Sequence, residues 1–73
     1  METELANYLE KLGKNISKIR KKKNMTQYKL AKEIFSDQSA LARIEDGKVN
    51  PTIKTLLKIS SVLKCSVKDL LDF

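Results

Sequence analysis

Residues 26–47 read TQYKLAKEIFSDQSALARIEDG, and this stretch decides the fold. Thr26 is suited to cap a helix, and Leu30, Ala31 and Ile34 then share one apolar helical face. Asp37 is suited to cap a second helix, whose inner face carries Leu41 and Ile44. Gly47 offers a left-handed stop. The pattern therefore predicts two short helices, over about 27–34 and 38–45, joined by a tight turn. Helices of roughly eight residues are not stable alone, so both must pack on other elements. Gln38, Ser39, Ala42 and Arg43 are left on the outside of the second helix. Their amide, hydroxyl, methyl and guanidinium groups can touch base edges in a DNA groove.

Outward from this stretch the remaining chain is also helical. Leu5, Leu9, Leu12, Ile16 and Ile19 recur at spacings of four and three, the stripe of an amphipathic helix. The stripe predicts a first helix over about residues 4–23, capped by Thr3 and kinked at Gly13. Asn24 follows, the next best residue after glycine for a left-handed stop. A loop rich in turn residues runs from Asp46 to Pro51. A fourth helix starts near Thr52 with Ile53, Leu56, Leu57, Ile59 and Leu63. Ser66 with Asp69 three residues later predicts a capping box and a short last helix over 66–71. The candidate core is Leu9, Leu12, Ile16, Ile19, Leu30, Leu41, Ile44, Leu56, Ile59 and Leu63.

The ordered set Ile16 with Arg20, Met25–Thr26–Gln27, Leu30–Ala31, Gln38–Leu41, Arg43–Glu45, Gly47, Asn50–Pro51, Leu56 with Ile59, Leu63 and Leu70–Leu71 resembles the phage Cro/cI-type (Xre-type) helix-turn-helix regulators. The resemblance implies an all-α, compact five-helix Cro/cI repressor-like DNA-binding domain, with residues 1–11 as an N-terminal extension of the first helix. It implies sequence-specific binding of double-stranded operator DNA and regulation of transcription, with 38–45 as the recognition helix in the major groove. Gln38 would read a base. Gln27 would brace it and touch a phosphate. Arg20 and Glu45 would form a structural ion pair that orients the recognition helix.

Other contacts follow from residue chemistry. Ser39 can bond several bases, Arg43 suits guanine or a phosphate, and Ala42 suits a thymine methyl. Backbone contacts are expected from Thr26, Gln27 and Tyr28 at the start of the second helix, from Lys48 and Asn50 after the third, and from Lys22 and Lys23. For each exposed side chain the plain alternative is solvation with no further role. Val67, Leu70, Leu71 and Phe73 offer more apolar surface than one short helix needs, which predicts a two-fold dimer there. Three departures from the resemblance stand out. Phe35 occupies a turn position where glycine is preferred, and the expectation is a rebuilt turn with Phe35 filling the core. Asp46 replaces a frequent asparagine. Tyr28 and Lys29 replace common acidic residues.

Composition fits and narrows the function. The chain has 73 residues, one small domain, and a net charge of +6. Nine Lys or Arg and no Asp or Glu lie between Lys11 and Lys32, a block that attracts polyanions. No apolar run is long enough to span a membrane and no signal-peptide core is visible. One cysteine, Cys65, and no histidine leave no disulfide, zinc cluster or histidine base. The expectation is a cytoplasmic, non-enzymatic homodimer without cofactor, metal or small-molecule effector, controlled by its own concentration. Two rival readings remain. One is a protein-interaction module, such as an antitoxin or anti-repressor, that keeps the fold without reading DNA. The other is a basic amphipathic helix on a membrane surface, a reading weakened because the core needs the same stripe.

Overall fold

A computed structural model describes residues 2–73; Met1, the first residue of the expected extension, lies outside the described residues. Five helices follow one another, α1 (Glu2–Lys22), α2 (Gln27–Glu33), α3 (Gln38–Glu45), α4 (Ile53–Leu63) and α5 (Val67–Leu70). No strand occurs among the described residues. The all-α, five-helix expectation is met, and the elements agree with the sequence reading to within about two residues, the usual uncertainty of helix ends.

Four of the helices stop by one device. Asn24, Phe35, Gly47 and Lys64 all have left-handed backbones, with φ of 58°, 57°, 73° and 57°. At each, one amide bonds back across three residues and the next bonds back across five: Asn24 to Lys21 and Met25 to Arg20, Phe35 to Lys32 and Ser36 to Ala31, Gly47 to Ile44 and Lys48 to Arg43, Lys64 to Ser61 and Cys65 to Ser60. This paired pattern satisfies carbonyls that a helix end otherwise orphans. The starts are as regular. Thr26 Oγ1 accepts from the Lys29 amide at 3.0 Å, and Thr52 Oγ1 accepts from Thr55 at 3.1 Å. Ser66 and Asp69 form the reciprocal box expected of them, at 2.9 and 3.1 Å. Asp37 holds the N-cap position of α3 without a side-chain capping bond.

The core comprises Leu12, Ile16, Leu30, Ala31, Ile34, Leu41, Ile44, Leu56, Ile59, Leu63 and Leu70. Fully burying an aliphatic side chain of this kind stabilises by roughly 1.5–3 kcal/mol. Several expectations are corrected. α1 is already helical at Thr3, so Thr3 is not its cap. It outruns its partners, so Leu5 stays 47% exposed and Leu9 and Ile19 are only half-buried. On α4, Ile53 and Leu57 face solvent. Phe35 does not fill the core. It keeps the left-handed turn and leaves its ring 93% exposed, because the two turn bonds fix the backbone and Ile34 already occupies the interior. Leu70 is 0% exposed within its own subunit. It therefore belongs to the core and drops out of the expected dimer surface.

The helix runs through Gly13 without interruption. Gly13 serves close contact. A methyl on it would collide with the carbonyl oxygens of Ile44 and Glu45 at the end of α3. Gly47 lies as close on the other side, where a Cβ would come 2.8 Å from the Glu10 Cα. The C-terminal end of α3 is thus seated directly on the α1 backbone.

Candidate nucleic-acid interface

The seat of α3 is locked by a buried ion pair. Arg20 Nε donates to Glu45 Oε2 at 2.7 Å, and Nη2 donates to Oε1 at 2.9 Å. Both side chains are nearly inaccessible. A two-pronged guanidinium–carboxylate contact fixes orientation as well as distance. The remaining donors are also used, since Nη1 reaches the Met25 carbonyl at 2.8 Å and Nη2 reaches Ser17 Oγ at 3.4 Å. Gln27 Nε2 donates to the same Glu45 Oε1 at 2.9 Å. Gln27 thus braces the ion pair. One carboxylate therefore ties together α1, the start of α2 and the end of α3.

With Leu41, Ile44 and Glu45 turned inward, the opposite side of α3 is free. Gln38, Ser39 and Arg43 are exposed there and Ala42 is half-buried. Arg43 has no carboxylate within ion-pair distance among the described residues, so its fork is unoccupied. Asp37 leaves the first amides of α3 uncapped, adding the positive end of the helix dipole to the side where Gln38 and Ser39 sit. Lys48 and Asn50 are exposed in the loop just beyond α3, and Tyr28, Lys22 and Lys23 are exposed near the start of α2. Thr26 is exposed as well, but its hydroxyl is engaged as the cap. Asp46 and Asp37, at the two ends of α3, are exposed beside this surface, and their charges oppose a polyanion.

The other candidate surface is where the chain end meets the extension. Phe73 stacks edge-on against Tyr8 of α1, with ring centroids 5.7 Å apart. Asn15 Nδ2 donates to the carbonyls of Asp69 and Leu70 at 3.0 and 2.8 Å, capping the end of α5 from outside. Of the expected dimer residues Val67 is half-buried, while Leu71 and Phe73 are exposed. Sequence reasoning passed over Asn15 and Ser17 entirely. A lone asparagine on a polar helix face carries no signal of a partner more than fifty residues away. Gly13 did carry one, since glycine inside a helical stripe often marks close backbone approach. Burial pushes the Cys65 thiol up, Asp69 adds to this, and Lys23 opposes it, so the thiol stays protonated at neutral pH.

Residues 16–70 match the helix-turn-helix family. A helix-turn-helix-type transcriptional regulator of Archaeoglobus fulgidus is 36% identical over 58 residues, covering 80% of this chain and 82% of that protein. The control protein C.BamHI of Bacillus amyloliquefaciens is 40% identical over 62 residues, covering 84% and 76%. Among solved structures, the restriction-modification controller protein C.AhdI from Aeromonas hydrophila superposes with a TM-score of 0.83 at 27% identity, covering 85% of this chain and 94% of that one. The clp gene regulator ClgR from Corynebacterium glutamicum gives 0.85 at 26% identity, covering 88% and 68%.

Proposed function

The chain belongs to the helix-turn-helix family, and on that premise we propose that it regulates transcription by reading operator DNA through the outer face of α3. The observation that carries this reading is the seating of α3. Its inner face is clamped by Gly13, Arg20 and Gln27, and its outer face presents Gln38, Ser39, Ala42 and Arg43 as one rigid set. Gln38 bonds adenine N6 and N7, Arg43 bonds guanine O6 and N7, Ser39 bonds a neighbouring base edge, and Ala42 lies against a thymine methyl. Gln27, Tyr28, Lys48, Asn50, Lys22 and Lys23 hold the phosphates on either side and set the register. Thr26 contributes through its backbone, its hydroxyl being in use.

One such module buries little DNA, so specificity comes from a homodimer on two half-sites about 34 Å apart. The protein acts in the cytoplasm, without catalysis and without a small-molecule effector. Selection from random duplexes tests the reading. It should return a paired half-site motif, and Gln38→Ala should relax preference at one position of each half, costing about 1–3 kcal/mol. Lys48→Ala should instead weaken all duplexes alike and flatten the salt dependence by about one contact. Recovery of no motif would point to a protein-interaction role for the same fold.

A further inference from the structure

Four lysines of α1 border one groove, and of these only Lys22 is among the phosphate contacts proposed above. Lys14, Lys18, Lys21 and Lys22 fall within about a 100° arc of the helix at 100° per residue. They border an open groove that reaches Gln27 at the start of α2 and Asp46 at the end of α3. Lys21 and Lys22 sit in the last helical turn, where basic residues suit the helix dipole. Lys14 and Lys18 lie in mid-helix and gain nothing from it. Lys14 bonds exposed Glu10 at 3.1 Å, a contact of little energetic weight in water. Lys18, Lys21 and Lys22 have no carboxylate within ion-pair distance among the described residues. Like charges massed this way repel one another and focus a positive potential in the groove. Glu45, on the groove wall, is neutralised by Arg20, so Asp46 is the one acidic residue there with its charge free.

We propose that this lysine face of α1 is a second phosphate track, gripping the DNA backbone that continues outside the bases under α3. It rests on the DNA-reading function proposed above. The dimensions fit a duplex. Lys14 to Lys22 spans about 12 Å of helix at 1.5 Å per residue. One DNA strand carries a phosphate every 3.4 Å of axis, so this length faces about three phosphates. Gln27 sits where the track joins the half-site, beside the proposed contacts of α2. The track adds affinity without sequence preference and lengthens the footprint, and Asp46 weakens its near end.

The test uses the triple variant Lys14→Gln/Lys18→Gln/Lys21→Gln, all exposed positions, with helicity checked by circular dichroism. Binding is titrated from 50 to 200 mM salt on two duplexes, one ending at the half-sites and one extended by about a helical turn on each side. On the extended duplex, losing three phosphate contacts should make the log–log salt slope shallower by about 2.7, so wild type should lose roughly 40-fold more affinity than the variant over this range. On the short duplex the two proteins should match. Equal slopes on both duplexes overturn the track. So does an equal loss on both, which would mean diffuse charge and no footprint. Loss of binding to phosphatidylserine vesicles, with DNA slopes unchanged, overturns it in favour of a lipid surface. Failure of the operator reading itself appears differently, as wild type showing no preference between selected and random duplexes.

Discussion

At Phe35 a bulky side chain holds a conformation that L-residues avoid. Its φ of 57° and its exposed ring mean that strain is present with no packing to offset it. A left-handed residue with a Cβ costs roughly 1–2 kcal/mol, part of which glycine returns through its freer unfolded state. Phe35→Gly should therefore stabilise by about 1 kcal/mol, raising Tm by roughly 4–8 °C in a domain of this size. A lower Tm in a thermal melt would mean that the ring packs on something after all. Arg20 and Glu45 make the opposite case, where the environment is everything. Glu45→Ala strands a buried guanidinium and should cost about 3–5 kcal/mol. Replacing both, as Arg20→Met with Glu45→Leu, should recover most of that stability, since a buried pair is seldom a large net stabiliser. DNA affinity should stay low in the double variant, because Gln27 and α3 lose their common anchor. Wild-type binding by the double variant would remove the orienting role from the pair.

Single elements were legible wherever the signal was local. The capping box of α5 was plain from Ser66 and Asp69, and α3 was bounded by Asp37 and Gly47 as expected. The box also makes α5 sensitive to acid. The Ser66 backbone amide, then its hydroxyl, hold the Asp69 carboxyl below its ordinary range. With the folded pKa depressed, the contribution is complete above the unfolded value of about 3.9 and disappears as pH falls through the folded one. The protection of the Leu70 and Leu71 amides, relative to their intrinsic exchange rates, should fall below about pH 4, and Asp69→Asn should remove that acid step. An unchanged step in Asp69→Asn would assign it to another carboxylate. What failed at this scale was phase without context. Leu5 and Leu9 keep the stripe of α1, yet Leu5 is left exposed and Leu9 only partly covered by the elements packed on the helix.

At the scale of the whole molecule, the apolar surface bears on assembly. Leu71, Phe73 and Tyr8 form an exposed apolar end where the chain terminus meets the N-terminal extension, and such clusters mark interfaces. The homodimer is expected to form there, with Val67 at its edge. Leu71→Ser and Phe73→Ala should weaken association in sedimentation experiments while helicity is retained. Leu70→Ser is no test of it, since that side chain is part of the subunit core. Unchanged association in both variants would transfer the interface to another exposed apolar area, the most prominent being Phe35 with Leu57.

The sequence by itself determined the helices, the caps at Thr26, Thr52 and Ser66 and the identity of the outward residues on α3. Those properties are set by neighbours within four or five positions, through apolar period, capping chemistry and left-handed stops. Only the tertiary structure decided how α3 is held. That depends on Gly13 admitting the end of α3, on Gly47 admitting the α1 backbone, and on Gln27 reaching Glu45; the closing of α5 by Asn15, more than fifty residues away, is equally non-local. It also decided that Leu70 is core and Phe35 is surface. Burial is a sum over contacts from distant segments, and no local window of the chain contains that sum.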